Sequence, residues 1–289
     1  MGLAKIKLPT EIPIEIYPKP MEFVEEAKSL VDEARERKIV MRVMGGLAIY
    51  LLISGTKYEE LWKSMERLGE RVFTDIDLAA YGRDREKILK YLTEERKKGI
   101  YIVWQPSLAF YAGKRLIFYG SPERQEYKGK IVGRIPMVEV FFDKLRMNHE
   151  VPFKDRLEKG EYTLPPTELL LTKLQIVKIN EKDIKDSITL LAAFEVTNSD
   201  NGINGDYIAK LLSNDWGFYY TFTTNLGKVK ETVKEMRNNK LEAELADTIM
   251  NRIDRLMKKI EEEPKSLSWK MRAKVGTSKK WYNEVEEWG

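Results

Sequence analysis

The run Arg71-Val72-Phe73-Thr74-Asp75-Ile76-Asp77-Leu78 sets two aspartates two positions apart in an otherwise β-type apolar stretch. Side chains alternate along a strand, so a strand over 72–81 turns Asp75 and Asp77 to the same face. Two carboxylates on one face repel each other unless a cation lies between them. A divalent metal is the usual solution, and oxygen-only donors favour Mg²⁺ or Mn²⁺. The stretch is therefore a candidate for metal-assisted phosphoryl chemistry.

Composition narrows the alternatives. The 289 residues are 43% hydrophobic and 33% charged, enough apolar material for one large domain or two ordinary ones and too much for a disordered chain. Lys and Arg number 50 against 46 Asp and Glu, a nearly even balance that permits a polyanionic partner without demanding one. The absence of cysteine excludes disulfides, thiolate metal sites and cysteine nucleophiles. The single histidine, His149, argues against multi-histidine zinc sites and reads, between Asn148 and Glu150, as a surface residue. No segment approaches roughly 18 continuous apolar residues, and the N-terminus lacks the apolar core of a signal peptide. A cytoplasmic protein with no membrane partner is expected. Dense Lys and Glu with no Cys fits a thermophile's composition.

Along the chain, residues 8–20 read as a proline-bearing extended arm. A helix is expected over 21–37, with Phe23, Ala27, Leu30, Val31 and Ala34 on one face. A short strand over 38–44 ends at Gly45-Gly46, and a buried helix follows from Leu47. Further helices are expected over 58–68 and 84–98. Strands are expected over 100–110 and 115–119, joined by a turn at Ala112-Gly113-Lys114. Another strand is expected over 131–142, with Pro136 favouring an edge or a bulge. After Pro165-Pro166, a favoured helix opening, the chain reads as almost wholly helical. Its longest helix is expected over 228–263, with Leu241, Leu245, Ile249, Ile253, Leu256 and Ile260 as a bundle-core stripe. The organisation is an α/β N-terminal part, 1–160, and an α-helical C-terminal part, 161–289.

Asp-x-Asp alone is a weak signal, and four features strengthen it. Gly45-Gly46 lies between a strand and a helix, where backbone N–H groups can approach a phosphate; a plain strand-to-helix turn is the alternative. Glu139 sits mid-strand in Met137-Val138-Glu139-Val140-Phe141-Phe142, where a buried carboxylate needs a partner or a metal; a water-facing edge residue is the alternative, and Asp143 is the competing third carboxylate. Lys173 lies within an apolar helical stretch, where it either reaches solvent or neutralises a triphosphate. Asp183 and Asp186 are three apart and share a helix face, as a solvated face would also provide.

In this order the features resemble the nucleotidyltransferase superfamily, and within it the toxin-type nucleotidyltransferases of abortive-infection systems (AbiEii/MenA-like). The matching stretches are Gly45-Gly46-Leu47-Ala48, the Arg71–Leu78 run, Lys173-Leu174 and Lys182-Asp183-Ile184-Lys185-Asp186, and they span roughly residues 38–195. An apparent extra helix between the glycines and the aspartates departs from the pattern. The resemblance implies an α+β, polymerase-beta-like mixed sheet with flanking helices, followed by an α-helical C-terminal region that contributes Lys173 and Asp186 to the site. It implies transfer of a nucleoside monophosphate from an NTP to an acceptor hydroxyl with release of pyrophosphate. Asp75, Asp77 and Glu139 would hold Mg²⁺ or Mn²⁺; Gly45, Gly46, Arg71, Thr74 and Lys173 would bind the nucleotide; Asp186 would orient Lys173 or the acceptor. A tRNA end is one candidate acceptor and a cognate antitoxin a candidate partner, as for toxin-type relatives; a protein hydroxyl or a small molecule are others. Lys265, Lys270, Arg272, Lys274, Lys279 and Lys280, interleaved with Trp269, Trp281 and Tyr282, would suit RNA stacking, or form a terminal segment packed through its tryptophans. A catalytically silent nucleotide- or partner-binding module and a nucleic-acid-binding module without NTP affinity are the competing classes.

Overall fold

The computed structural model describes residues 12–66, 71–96, 101–110, 114–120, 124–127, 130–133, 137–237 and 239–285. In chain order they form α1 (Pro20–Glu36), β1 (Met41–Met44), α2 (Gly45–Ile53), α3 (Lys57–Ser64), β2 (Ile76–Ala80), α4 (Arg85–Lys90), β3 (Tyr101–Val103), α5 (Gln105–Phe110), β4 (Arg115–Gly120), β5 (Arg124–Tyr127), β6 (Lys130–Gly133), β7 (Val138–Phe142), β8 (Lys144–Arg146), β9 (Glu150–Pro152), α6 (Pro166–Leu174), α7 (Glu181–Ala193), β10 (Val196–Thr197), β11 (Ile203–Asn204), α8 (Gly205–Leu212), α9 (Trp216–Met236), α10 (Ala243–Glu262) and α11 (Leu267–Val275). The chain divides into two compact units. One holds the described residues of 1–51, 68–144 and 152–164, and the other those of 52–67, 145–151 and 165–289.

The first unit is built on a mixed five-stranded sheet in the order β1-β2-β7-β4-β3. β2 and β7 run parallel, and the other neighbours are antiparallel. β2 and β7 each fully bury four of five residues and leave one slightly open to solvent, Asp77 and Glu139 respectively. Such near-continuous apolar strands belong to the middle of a sheet covered on both faces. α1 buries the face its periodicity indicates, Phe23, Val24, Ala27, Leu30, Val31 and Ala34. It starts at Pro20, whose missing N–H costs nothing in a first helical turn, and the chain leaves it through Lys38 at φ 59°.

Several expected elements are shorter or different. The strand expected over 72–81 is β2 alone, so Asp77 lies in the sheet and Asp75 in the segment leading to it. The expected strand over 131–142 is two strands in two sheets, since β6 pairs only with β5; β7 is central, which rules out an edge position for Glu139. Pro136 and the turn residues Ala112-Gly113 lie outside the described residues. The expected strand over 100–110 is β3 followed by α5. Ser107 closes the first turn of α5, its N–H and its hydroxyl both donating to the Trp104 carbonyl, and Pro106 occupies an early helical position that suits proline. The expected helix over 84–98 is α4 continued by a single π-type turn over Tyr91–Glu95.

The second unit is mostly helical. Pro166 opens α6 as expected. The helix expected over 228–263 is broken: α9 ends at Met236, and the amides of Asn239, Lys240 and Leu241 all turn back onto the Met236 carbonyl before α10 begins. Ile249, Ile253, Leu256 and Ile260 are buried along α10 as the stripe requires, and Ala246 takes the position read for Leu245. Asn180, Asn204, Asp215 and Ser266 cap α7, α8, α9 and α11 by accepting from the third helical amide. His149 is not a surface residue; it is 3% exposed, stacked on Phe218 at 5.0 Å, with Nε2 2.8 Å from Thr221 Oγ1. Burial holds its imidazole down to a pKa of about 4, with Asp215 opposing. Among the described residues no helix is long and apolar enough to cross a membrane.

Candidate active site

Register brings the carboxylates of the first unit together. Asp77 on β2 and Glu139 on β7 are direct partners across the parallel pair. On the other side of β2, Asp77 pairs with Met44, the last residue of β1. The next residue, Gly45, opens α2 at φ 70°. A Cβ placed on Gly45 would stand 2.5 Å from Asp77 Oδ2, so only glycine lets the head of α2 lie this close to the carboxylate. The partial positive charge of a helix N-terminus favours an anion there.

Glu139 also receives Arg115 from β4, with Nε 3.4 Å from Oε2. Burial pushes the Glu139 carboxyl up to a pKa of about 7; Arg115 pulls it down and the Asp75 charge pushes it up again. Asp75 is thus close enough to Glu139 for their charges to be felt. Its carboxylate accepts from the Thr74 hydroxyl at 2.9 Å. Asp143, the rival third carboxylate, sits beyond the end of β7 at φ 63° and accepts from the Gly82 amide at 2.9 Å. Glu139, not Asp143, is the residue alongside Asp77.

Arg71 and Thr74 both precede Asp75, and both also meet the N-terminal segment. Arg71 Nη2 donates to the Ile12 carbonyl, and its guanidinium lies 4.7 Å from the centre of the Tyr17 ring. The Tyr17 hydroxyl donates to the Thr74 carbonyl. Burial and the Asp75 charge hold that phenol far above its ordinary pKa, with Arg71 opposing. Tyr17 and Arg115 are the residues that sequence reading missed. Tyr17 sits in a proline-rich arm with no periodicity to reveal its neighbours. Arg115, at the start of a strand two positions before the partner of Glu139, was legible only once β4 and β7 were known to pair.

In the second unit, Lys173 on α6 is 7% exposed. Its ammonium lies 2.8 Å from Asp183 Oδ1 and 2.8 Å from Asp186 Oδ2, both on α7. Trp62 Nε1 donates to the other Asp186 oxygen at 3.3 Å. The three-residue spacing of the aspartates therefore serves a buried ion cluster, not a solvated face. The C-terminal aromatics are engaged within the same unit. Trp269 meets Tyr219 edge-on at 5.1 Å, Trp281 meets Tyr220 at 5.2 Å and donates to Thr221 Oγ1 at 3.1 Å, and Arg272 lies over Trp216.

No protein family and no curated protein matches this chain by sequence. It is similar to the solved structure of an antigenic nucleotidyltransferase-like protein from Paracoccidioides brasiliensis. The TM-score is 0.36 and the identity 13%, over 87% of this chain and 97% of that one. A likeness of that order assigns neither a family nor a residue's role.

The site's own chemistry can be tested against a metal. Asp75, Asp77 and Glu139 offer oxygen donors only, the set that hard divalent cations prefer. Burial is the main cause of the raised Glu139 pKa, and the smaller upward push of the Asp75 charge is one that a cation between them would relieve. In donor type and charge the three fit Mg²⁺ or Mn²⁺. Among the described residues no group of three or more carboxylate or histidine side chains is already drawn around one point, and Arg115 is the cation that Glu139 meets.

Proposed function

We propose that this chain is a divalent-metal-dependent nucleotidyltransferase, moving a nucleoside monophosphate from an NTP to an acceptor hydroxyl and releasing pyrophosphate. The observation that carries the reading is the pairing of Asp77 with Glu139 on adjacent central strands while the glycine that opens α2 packs against the Asp77 carboxylate. Asp75, Asp77 and Glu139 would hold Mg²⁺ or Mn²⁺, which when bound would stabilise the charge building on the leaving pyrophosphate. The amides at the head of α2, from Gly45 and Gly46, would bind phosphate oxygens. Arg71 and Thr74 would act on the nucleotide through Asp75, whose surroundings they set. The resemblance gives Lys173 the role of a charge for the triphosphate and Asp186 that of orienting Lys173 or the acceptor; in the structure the two pair with each other within the second unit.

The acceptor is proposed as an RNA end, with a protein hydroxyl or a small molecule as the other outcomes. The tryptophans of the expected RNA-stacking surface have partners inside the second unit, so support for RNA rests on the basic residues around them.

The test is incubation with each α-labelled NTP, Mg²⁺ and total cellular RNA or lysate. Wild type should yield labelled product, and the D75A/D77A double variant none, while its metal-free melting temperature stays level or rises as the carboxylate repulsion is removed. Transfer that survives the double substitution would overturn the reading. The Arg115–Glu139 ion pair favours a second reading, a catalytically silent module in which an internal cation already serves Glu139. NTP-dependent thermal stabilisation without transfer to any acceptor would select it.

A further inference from the structure

Asp75 is placed by something other than the sheet. The ladder of β2 begins one residue later, where the Ile76 amide donates to the Met137 carbonyl. A residue just outside a ladder keeps one conformation only if other contacts fix it. Here they come from the segment ahead of α1. The Tyr17 hydroxyl donates to the Thr74 carbonyl, and the Thr74 hydroxyl in turn donates to Asp75 Oδ1. The Tyr17 ring is itself anchored. It lies 5.8 Å from Phe23 on α1, Phe23 lies 5.6 Å from Phe73, and Phe73 lies 5.5 Å from Tyr50 on α2. Arg71 covers the ring's face and grips the Ile12 carbonyl. Thr74 is thus held at its carbonyl by the N-terminal segment and holds the Asp75 carboxylate with its side chain.

We propose that Tyr17 is a positioning residue of the candidate site: through the Thr74 carbonyl it fixes the Thr74-Asp75 step, so that cation binding by Asp75 depends on a hydroxyl supplied by the N-terminal segment. This rests on the metal-dependent reading above and adds to it the part of the chain that the reading leaves without a role. Tyr17 touches neither substrate nor metal in this scheme. The loss of its hydroxyl frees the backbone ahead of β2 while the ring packing against Phe23 and Arg71 stays.

The experiment uses the full chain with Tyr17→Phe. Mn²⁺ binding is followed by titration calorimetry, and amide exchange of residues 72–76 by mass spectrometry. Losing one hydrogen bond of about 1 kcal/mol predicts roughly 5-fold faster exchange in that segment and about 3- to 10-fold weaker Mn²⁺ binding. Tyr91→Phe is the control, because it removes another hydroxyl-to-carbonyl bond of the same unit, to Leu30, and should leave Mn²⁺ affinity at the wild-type value. The proposal is overturned if Tyr17→Phe binds Mn²⁺ as wild type does, if Tyr91→Phe weakens binding equally, or if wild type binds no Mn²⁺. A wild type that binds Mn²⁺ but transfers no nucleotide defeats the functional reading alone, and the Tyr17→Phe affinity still decides the role of Tyr17.

Discussion

Gly45→Ala and Gly55→Ala carry the same backbone cost and meet different surroundings. Both glycines have left-handed φ, 70° and 76°, which costs an L-residue about 1–2 kcal/mol. Nothing lies within 4 Å of a Cβ at Gly55, whereas a Cβ at Gly45 meets Asp77 Oδ2 at 2.5 Å. Urea unfolding should therefore show a loss of about 1 kcal/mol for Gly55→Ala and about 2–3 kcal/mol for Gly45→Ala. Only the second should also weaken Mn²⁺ binding, because it must push the Asp77 carboxylate aside. Equal effects of the two on both measurements would mean that the approach of Gly45 to Asp77 has no consequence for the site. The glycine pair was legible in the sequence as a strand-to-helix turn. Its closest neighbour was not, because the β1–β2 register that delivers Asp77 to the turn is a long-range pairing with no local signature.

At the scale of elements, what could be read depended on period and length. α1 and the buried stripe of α10 follow a 3.6-residue repeat that the sequence states openly. β3, β8 and β9 have only three residues each, too few for alternation to register. Leu241 illustrates the limit within a helix: it extends the apolar stripe of α10 in sequence and is buried, yet it lies in the turn before that helix. The pairing of α6 with α7 carries a prediction of its own. Lys173 is the cation between two buried carboxylates, Asp183 and Asp186. Removing one partner of such a cluster leaves uncompensated buried charge and typically costs about 3–5 kcal/mol. Lys173→Met should thus lower unfolding stability by about that amount, and Lys173→Arg by less. Unchanged stability in Lys173→Met would show that the cluster is not structural and would return the lysine to the role of a charge held for a ligand. Any loss of transfer in this variant has to be weighed against the fraction still folded.

Across the whole molecule, two buried titrating groups act on stability with opposite signs. The Glu139 carboxyl, raised to about 7 by burial first and by Asp75 against the pull of Arg115, binds its proton more tightly folded than unfolded. Its contribution is complete below the unfolded carboxyl pKa of about 4.3 and is lost as pH rises through 7. His149, held down to about 4 by burial, is the reverse: its contribution is complete above about 6.5 and is lost as pH falls toward 4. Each group's departure from its ordinary pKa is equivalent to about 3 kcal/mol. Because His149 is the chain's one histidine, no other imidazole blurs this window. In chelator-treated buffer, wild type should show little net slope from these two groups between pH 4.5 and 6.5. His149→Gln should become less stable, relative to wild type, as pH rises toward 6.5, and Glu139→Gln as pH falls toward 4.5. The checking measurement is urea unfolding of all three proteins at half-unit steps. Variant curves that run parallel to wild type would show that neither group is buried in the state its surroundings favour. Sequence could not supply this balance, since Glu139 had the look of either a ligand or an edge residue and His149 that of a surface residue. Only the central position of β7 and the stacking of the imidazole on Phe218 give each group the dry surroundings that set its sign.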